Sequence, residues 1–299
     1  MAIIADAGAA RVFPGLYSSE LLDNFEFDYK LLNFLILNHG IKIAKLSQTG
    51  RFKGFIRLRY GIISDIHSNL NALNVVLNSL ENQGIDKLIC LGDIVGYGPE
   101  PNECVEVVRK NADIVLAGNH DFAVLGRTDI SRFNRYAKSA INWTIKTISD
   151  ESLQFLSSCL LEKKLENYNF VHATIDEPDK WKYILSLQDA ALAFQTFDET
   201  ICFFGHSHVP SIFVEDELEN IEFYTQTRLK IRPENKYLIN VGSVGQPRDR
   251  NPKACFATFD STTFEYELFR VEYDIADTQK KMKRANLDKF LINRLQSGK

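Results

Sequence analysis

Five short segments carry residues suited to chemistry: Asp65-Ile66-His67, Gly92-Asp93, Gly118-Asn119-His120-Asp121, Val171-His172 and Gly205-His206-Ser207-His208. They hold five of the six histidines of the chain, and the runs leading into them are apolar and rich in β-branched residues. Hard oxygen donors interleaved with imidazoles are the ligands that borderline divalent metals select. A series this long suits two cations held a few ångströms apart, whose combined charge lowers the pKa of a shared water until hydroxide forms near neutral pH.

Taken singly, each segment has an ordinary explanation. Asp after a strand often caps the next helix, a lone histidine is commonly half-buried with one hydrogen bond, and Asn119 could serve as a turn residue. Independent structural needs do not readily place Asp, His, Asp, Asn, His, His and His in this order, at five strand ends, while leaving only His39 elsewhere.

The elements that must position these residues can be read from periodicity. Tyr60 to Ile66 reads as a buried strand, and Asn69 to Gln83 carries Leu70, Leu73, Val76, Leu77 and Leu80 at helical spacing, closed by Gly84. Lys87 to Ile94 is a second strand, a helix begins near Pro101, and Ala112 to Ala117 is a third strand. This alternation predicts parallel βαβ units, in which ligands gather beyond the carboxyl ends of the strands. Asp65, Asp93 and Asn119 occupy that end, and so do His172 after Asn169 to Val171 and His206 after Ile201 to Phe204.

Residues 122 to 165 are mostly helical in pattern and could roof the site. After His208 the pattern turns to alternation, in Ser211–Val214, Ile221–Thr225, Tyr237–Val241, Cys255–Phe259 and Phe264–Val271. This predicts a second, mainly antiparallel sheet packed on the first. Ala276 to Leu295 returns to helical spacing.

Composition narrows the partners. The 299 residues are 45% hydrophobic and 25% charged, with net charge −4 and pI near 5.9. This is ample for one large core and provides no basic footprint for sequence-read nucleic acid. The longest apolar stretch, Leu31 to Ile41, is interrupted by Asn33, Asn38 and His39 and is too short to span a bilayer; no membrane partner is expected. Cys90, Cys104, Cys159, Cys202 and Cys255 are scattered and odd in number. They read as free thiols of a reducing compartment, and with no secretory pattern at the amino terminus the cytoplasm is the expected location.

In type and order, the series Asp65-x-His67, Gly92-Asp93, Gly118-Asn119-His120-Asp121, His172 and Gly205-His206-x-His208 resembles the calcineurin-like metallophosphoesterase superfamily. Ser64-Asp-Ile-His-Ser-Asn69, Gly92-Asp-Ile-Val-Gly-Tyr-Gly-Pro99 and Asn240-Val-Gly-Ser-Val-Gly-Gln-Pro-Arg248 resemble its small bacterial and archaeal phosphodiesterase-like branch. The resemblance implies an α/β (α+β) fold: a four-layer αββα sandwich of two mixed sheets flanked by helices. It implies one metal held by Asp65, His67 and His208, a second by Asn119, His172 and His206, and Asp93 bridging the two. It implies His120 as the general acid that protonates the leaving oxygen, with Asp121 as a neighbour that orients it. Manganese is the metal expected by resemblance; iron, zinc, nickel or cobalt also suit the donors. The expected activity is hydrolysis of a phosphodiester or phosphomonoester by a metal-bridging hydroxide, on a small-molecule or nucleotide substrate.

Alternatives stay open at this level. Where serine/threonine protein phosphatases of the family continue into Asp-Arg-Gly, this chain has Gly96-Tyr97-Gly98, which weighs against a phosphoprotein substrate. A dinucleoside-polyphosphate hydrolase or a scaffold that keeps the fold without catalysis also fits. Arg248 either grips phosphate in place of the missing arginine or is a solvated loop residue. Lys280-Lys-Met-Lys-Arg284 reads as a solvated helix face. Residues 1–57 show no clear period beyond a helix near Tyr29 to Leu37, and Leu58-Arg59-Tyr60-Gly61 resembles the beginning of relatives. They are expected to form an appendage outside the site, with a regulatory arm as the alternative; residues 58–299 form the metallophosphoesterase domain.

Overall fold

The computed structural model describes residues 44–46, 52–54, 58–165 and 167–299. The helix expected near Tyr29 to Leu37 lies outside the described residues. In the amino-terminal unit, β1 (Ala44–Leu46) and β2 (Phe52–Gly54) pair antiparallel, with Lys45 opposite Lys53. Arg59–Lys299 is a separate compact unit.

That unit is built on two six-stranded mixed sheets. The first runs in the order β11 (Arg228–Lys230), β14 (Glu265–Val271), β13 (Ala254–Asp260), β3 (Arg59–Ile63), β4 (Lys87–Cys90), β5 (Ile114–Val115). The second runs β10 (Ile221–Tyr224), β9 (Ser211–Glu215), β12 (Lys236–Asn240), β8 (Ile201–Phe204), β7 (Tyr168–Val171), β6 (Glu162–Leu165). β3, β4 and β5 are parallel, and so are β7, β8 and β12. The carboxyl ends of β3, β4, β5, β7 and β8 are the points from which the candidate residues project.

Aromatic side chains join the sheets. Phe170 and Phe203 of the second sheet stack at 5.4 Å, and Phe203 meets Phe259 of the first at 5.5 Å. Tyr60 lies 6.1 Å from Phe170 and stacks on Phe259 at 6.4 Å. All are buried, and each large apolar side chain removed from water contributes about 1.5–3 kcal/mol. Helices cover the outer faces. On the first sheet lie α1 (Leu70–Asn82) and α2 (Pro101–Asn111), whose Leu73, Val76, Leu80, Cys104 and Val108 share a cluster with Ile63, Cys90 and Phe256. Ile141 of α4 (Arg135–Thr147) and Leu156 of α5 (Asp150–Ser158) belong to the same cluster. On the second sheet, α6 (Leu187–Phe194) packs Ala190, Ala193 and Phe194 against Phe204, Phe213 and Leu238. The short α3 (Asn119–Val124) follows β5.

The structure corrects several expectations. The strands after His208 do not form a sheet of their own: β9, β10 and β12 extend the sheet of β7 and β8, whereas β11, β13 and β14 extend that of β3. Alternation identifies a half-buried strand but not its neighbour, which depends on long-range pairing. The segment 112–117 contributes only Ile114 and Val115 to the sheet, and residues 122–165 end in a strand, β6, paired with β7. The terminal helix is two helices, α7 (Ile275–Arg284) and α8 (Lys289–Arg294), separated by Asn286 at φ 55°. The basic run on α7 is divided: Lys281 is half-buried, with its ammonium 3.0 Å from Glu100 and 3.1 Å from Asp277, Met282 is buried, and Lys280, Lys283 and Arg284 are exposed.

Candidate metal centre

The strand ends turn abruptly. Asp65, His67, Ser68, Asp93, Tyr97, His206 and His208 all have φ between 49° and 64°, a left-handed conformation that costs a non-glycine residue about 1–2 kcal/mol. Strain of this kind persists only where surrounding bonds over-determine it, and it gathers at functional sites. The bonds are present. The N–H groups of Asp65, His67 and Ser68 donate to the carbonyls of Gly92, Asp93 and Ile94 (3.0, 2.9 and 2.9 Å). From the other side, Val244 and Gly245 donate to the carbonyls of Ser64 and Asp65 (2.9 and 3.0 Å), and the Ser243 hydroxyl donates to the Asp65 carbonyl (2.8 Å). Two glycines allow the elements to close up: a Cβ on Gly205 would stand 2.0 Å from Ser64 Oγ, and one on Gly118 would stand 2.1 Å from Asp93 Oδ1.

The seven candidate ligands converge. Donor atoms of Asp65, His67, Asp93 and His208 lie within 4.8 Å of one another, and so do those of Asp93, His172 and His206. Asn119 joins the second group, its Oδ1 3.3 Å from His172 Nε2. Asp93 belongs to both: its Oδ2 is 3.6 Å from His67 Nε2 and 3.4 Å from His172 Nε2. Each carboxylate is anchored by one oxygen and presents the other. His206 N–H donates to Asp65 Oδ2 (3.0 Å), leaving Oδ1 buried with no hydrogen-bond partner among the described residues, and His120 N–H donates to Asp93 Oδ1 (2.8 Å).

The imidazoles are aimed by backbone carbonyls. His67 Nδ1 faces the Val95 carbonyl (3.1 Å), His172 Nδ1 that of Leu91 (3.0 Å), His208 Nδ1 that of Gln246 (2.7 Å) and His206 Nε2 that of Trp181 (3.0 Å). A carbonyl only accepts, so each of these nitrogens carries the proton and the other offers a lone pair. The free Nε2 atoms of His67 and His208 then face each other at 3.1 Å. Two lone pairs so placed repel unless a cation lies with them, and with the anionic oxygens beside them the donor set fits divalent metal ions.

Electrostatics agree. Burial opposes charge on Asp65 and Asp93, yet the surrounding histidines hold both carboxyls well below the usual carboxylate range. Burial lowers His206 to about 3 and, aided by Arg248, His208 to about 4. His172 is pushed up to about 9, because Asp93, Asp65 and Asp121 together outweigh the cost of burial, so its Nε2 must give up a proton when a metal binds. The cluster is a buried anionic cage that attracts positive charge.

His120 lies beside this cage. Its ring centroid is 4.4 Å from Tyr97, 4.8 Å from His67 and 5.5 Å from Phe133. Its Nδ1 is buried with no partner among the described residues, and burial holds the ring well below the ordinary histidine range. Asp121 does not touch the ring. Its carboxylate accepts from the N–H groups of Gly118 (2.9 Å), Ile94 (3.0 Å) and Val95 (3.1 Å), so it braces the Asp93 loop. Arg248 is not a solvated loop residue: its Nη2 donates to Gln246 Oε1 (3.1 Å) and reaches the Tyr97 hydroxyl (3.4 Å), its Nε is buried without a partner, and no carboxylate pairs with it among the described residues.

Sequence reasoning did not single out Tyr97, Trp181, Tyr183 or the four orienting carbonyls. Only Gly96-Tyr97-Gly98, a bulky residue between two glycines within a candidate loop, offered a signal for any of them.

A histidine–aspartate cage at the carboxyl ends of two mixed sheets defines a class of phosphoester hydrolases. The chain belongs to the calcineurin-like phosphoesterase superfamily, whose domain profile matches residues 58–263. It is 42% identical over 248 residues to the uncharacterized protein MJ0912 of Methanocaldococcus jannaschii, covering 82% of this chain and all of that one. The crystal structure of a metallophosphoesterase from Sphaerobacter thermophilus is 42% identical, with a TM-score of 0.73, covering 81% of this chain and 100% of the other. The hypothetical protein PH1004 from Pyrococcus horikoshii, 19% identical over 81% of this chain and 98% of its own, shares the fold with a TM-score of 0.66.

Proposed function

We propose that the protein is a dinuclear metal-dependent phosphoesterase acting on a small phosphodiester or phosphomonoester. Asp65, His67 and His208 hold one ion, Asn119, His172 and His206 hold the other, and Asp93 is shared. One arrangement carries this reading: the facing Nε2 atoms of His67 and His208, with Asp93 Oδ2 placed between His67 and His172. The bound ions supply Lewis acidity and an activated water.

The protein's own residues do the rest. Arg248, which pairs with no carboxylate among the described residues, grips a non-bridging phosphate oxygen. Burial favours the neutral form of His120; an anionic phosphoryl group arriving beside the ring raises its proton affinity, so that the ring takes up a proton from solvent and passes it to the leaving oxygen, returning to its neutral form. Such a general acid contributes about 10²- to 10⁴-fold in rate. The metal is manganese, the substrate a phosphodiester by preference, and the compartment the reducing cytoplasm. Residues 58–299 are the catalytic domain and 1–57 an appendage outside the site.

The test is elemental analysis of the purified protein, followed by turnover assays on a phosphodiester, its monoester and a dinucleoside polyphosphate. Two equivalents of metal with preferential diester hydrolysis is the expected result. Protein that takes up no divalent metal and turns over none of the three would overturn the proposal in favour of a binding scaffold.

A further inference from the structure

The loop after β7 carries an aromatic side chain that the chemistry above does not use. Tyr183 lies flat on His206, with ring centroids 4.0 Å apart and planes at 21°, yet it is 49% exposed. One face is therefore occupied by the imidazole and the other is open. Its setting is rigid. The Trp181 carbonyl accepts from His206 Nε2 (3.0 Å), and the Trp181 indole donates to Thr128 Oγ1 (3.1 Å) and packs edge-on against Phe122 at 5.3 Å. Ile184 is buried against the second sheet, and Trp181 itself is left-handed at φ 55°, uncommon for so bulky a residue.

An aromatic ring stacked on a candidate metal ligand, with about half its surface exposed, suits a ligand that is planar at one end and anionic at the other. Resting on the phosphoesterase reading of the same site, we infer that Tyr183 is a specificity residue whose open face stacks on the nucleobase of a nucleotide substrate. Stacking needs only a π-face, so it favours nucleotides as a class over sugar or alkyl phosphates without selecting one base. Stacking of a base on an aromatic side chain corresponds to about 5- to 150-fold in affinity.

Adenosine 5′-monophosphate and ribose 5-phosphate differ only by the base, and their equilibrium binding can be measured by calorimetry whether or not turnover occurs. Wild type should bind the nucleotide at least about fivefold more tightly. Tyr183→Ala should abolish that preference, with ribose 5-phosphate affinity and metal content kept within twofold, and Tyr183→Phe should retain it. Equal affinities in wild type would overturn the inference. So would an equal loss for both ligands in Tyr183→Ala, which would show that the ring acts by supporting His206, and so would phenyl phosphate binding as tightly as the nucleotide. A nucleotide preference in a protein that hydrolyses nothing would leave this inference standing and sink the phosphoesterase reading alone.

Discussion

The backbone N–H of His120 donates to Asp93 Oδ1 at 2.8 Å, while Asp93 Oδ2 faces both donor groups. One carboxylate thus fixes where the proposed acid stands relative to the proposed metals. The bond comes from the main chain of His120, so it survives replacement of the side chain.

His120→Ala should therefore lower turnover by about 10²- to 10⁴-fold while elemental analysis finds the wild-type metal content. Unchanged turnover would remove His120 from the mechanism.

Metal removal should destabilise the fold. With Asp65 and Asp93 fully buried and ionised, the cage without cations sets two carboxylates out of water against the positive charge of His172, and an unbalanced buried charge is costly. Dialysis against a chelator should lower the thermal midpoint, and added manganese should restore it as saturable binding to the native state does. A midpoint indifferent to both treatments would count against the cage.

Gly205→Ala tests the close approach of β8 to the Asp65 loop. The new Cβ would stand 2.0 Å from Ser64 Oγ and 2.6 Å from Asp65 Oδ2, so both must move. Overpacking of this kind costs about 1–3 kcal/mol, or about 2–4 °C of thermal midpoint per kcal/mol in a domain of this size. Metal affinity should fall with it.

The thiols should be protected. Cys90, Cys104, Cys202 and Cys255 are buried, and Cys159 is part-buried with its thiol pushed up to about 12 by burial. Labelling with a disulfide reagent at neutral pH should modify at most one thiol in the native protein, and all five in denaturant.

Much of the site was legible because its chemistry lies in side chains of uncommon type at strand ends. Asp65 and His206 stand 141 positions apart, yet each follows an apolar run, and the fold brings the His206 N–H to the Asp65 carboxylate. The two-sheet architecture was less legible: β12 and β13 carry similar patterns, and nothing local assigns one to β8 and the other to β3. Carbonyl orienters such as those of Val95 and Leu91 escape sequence reading altogether, because every residue has one. Tyr183 lies in a loop with no period, so its ring gains meaning only from the histidine beneath it. The resemblance implied Asp121 as a neighbour that orients His120, whereas the first turn of α3 directs its carboxylate to the backbone N–H groups of Gly118, Ile94 and Val95.

Tyr97, whose ring touches both His67 and His120, packs with Met282 and Leu291 of the last two helices and with Leu295 just beyond them. During synthesis, every proposed metal ligand therefore leaves the ribosome well before the wall that seats this ring. A nascent chain can thus hold all the proposed ligands and still lack the wall behind Tyr97.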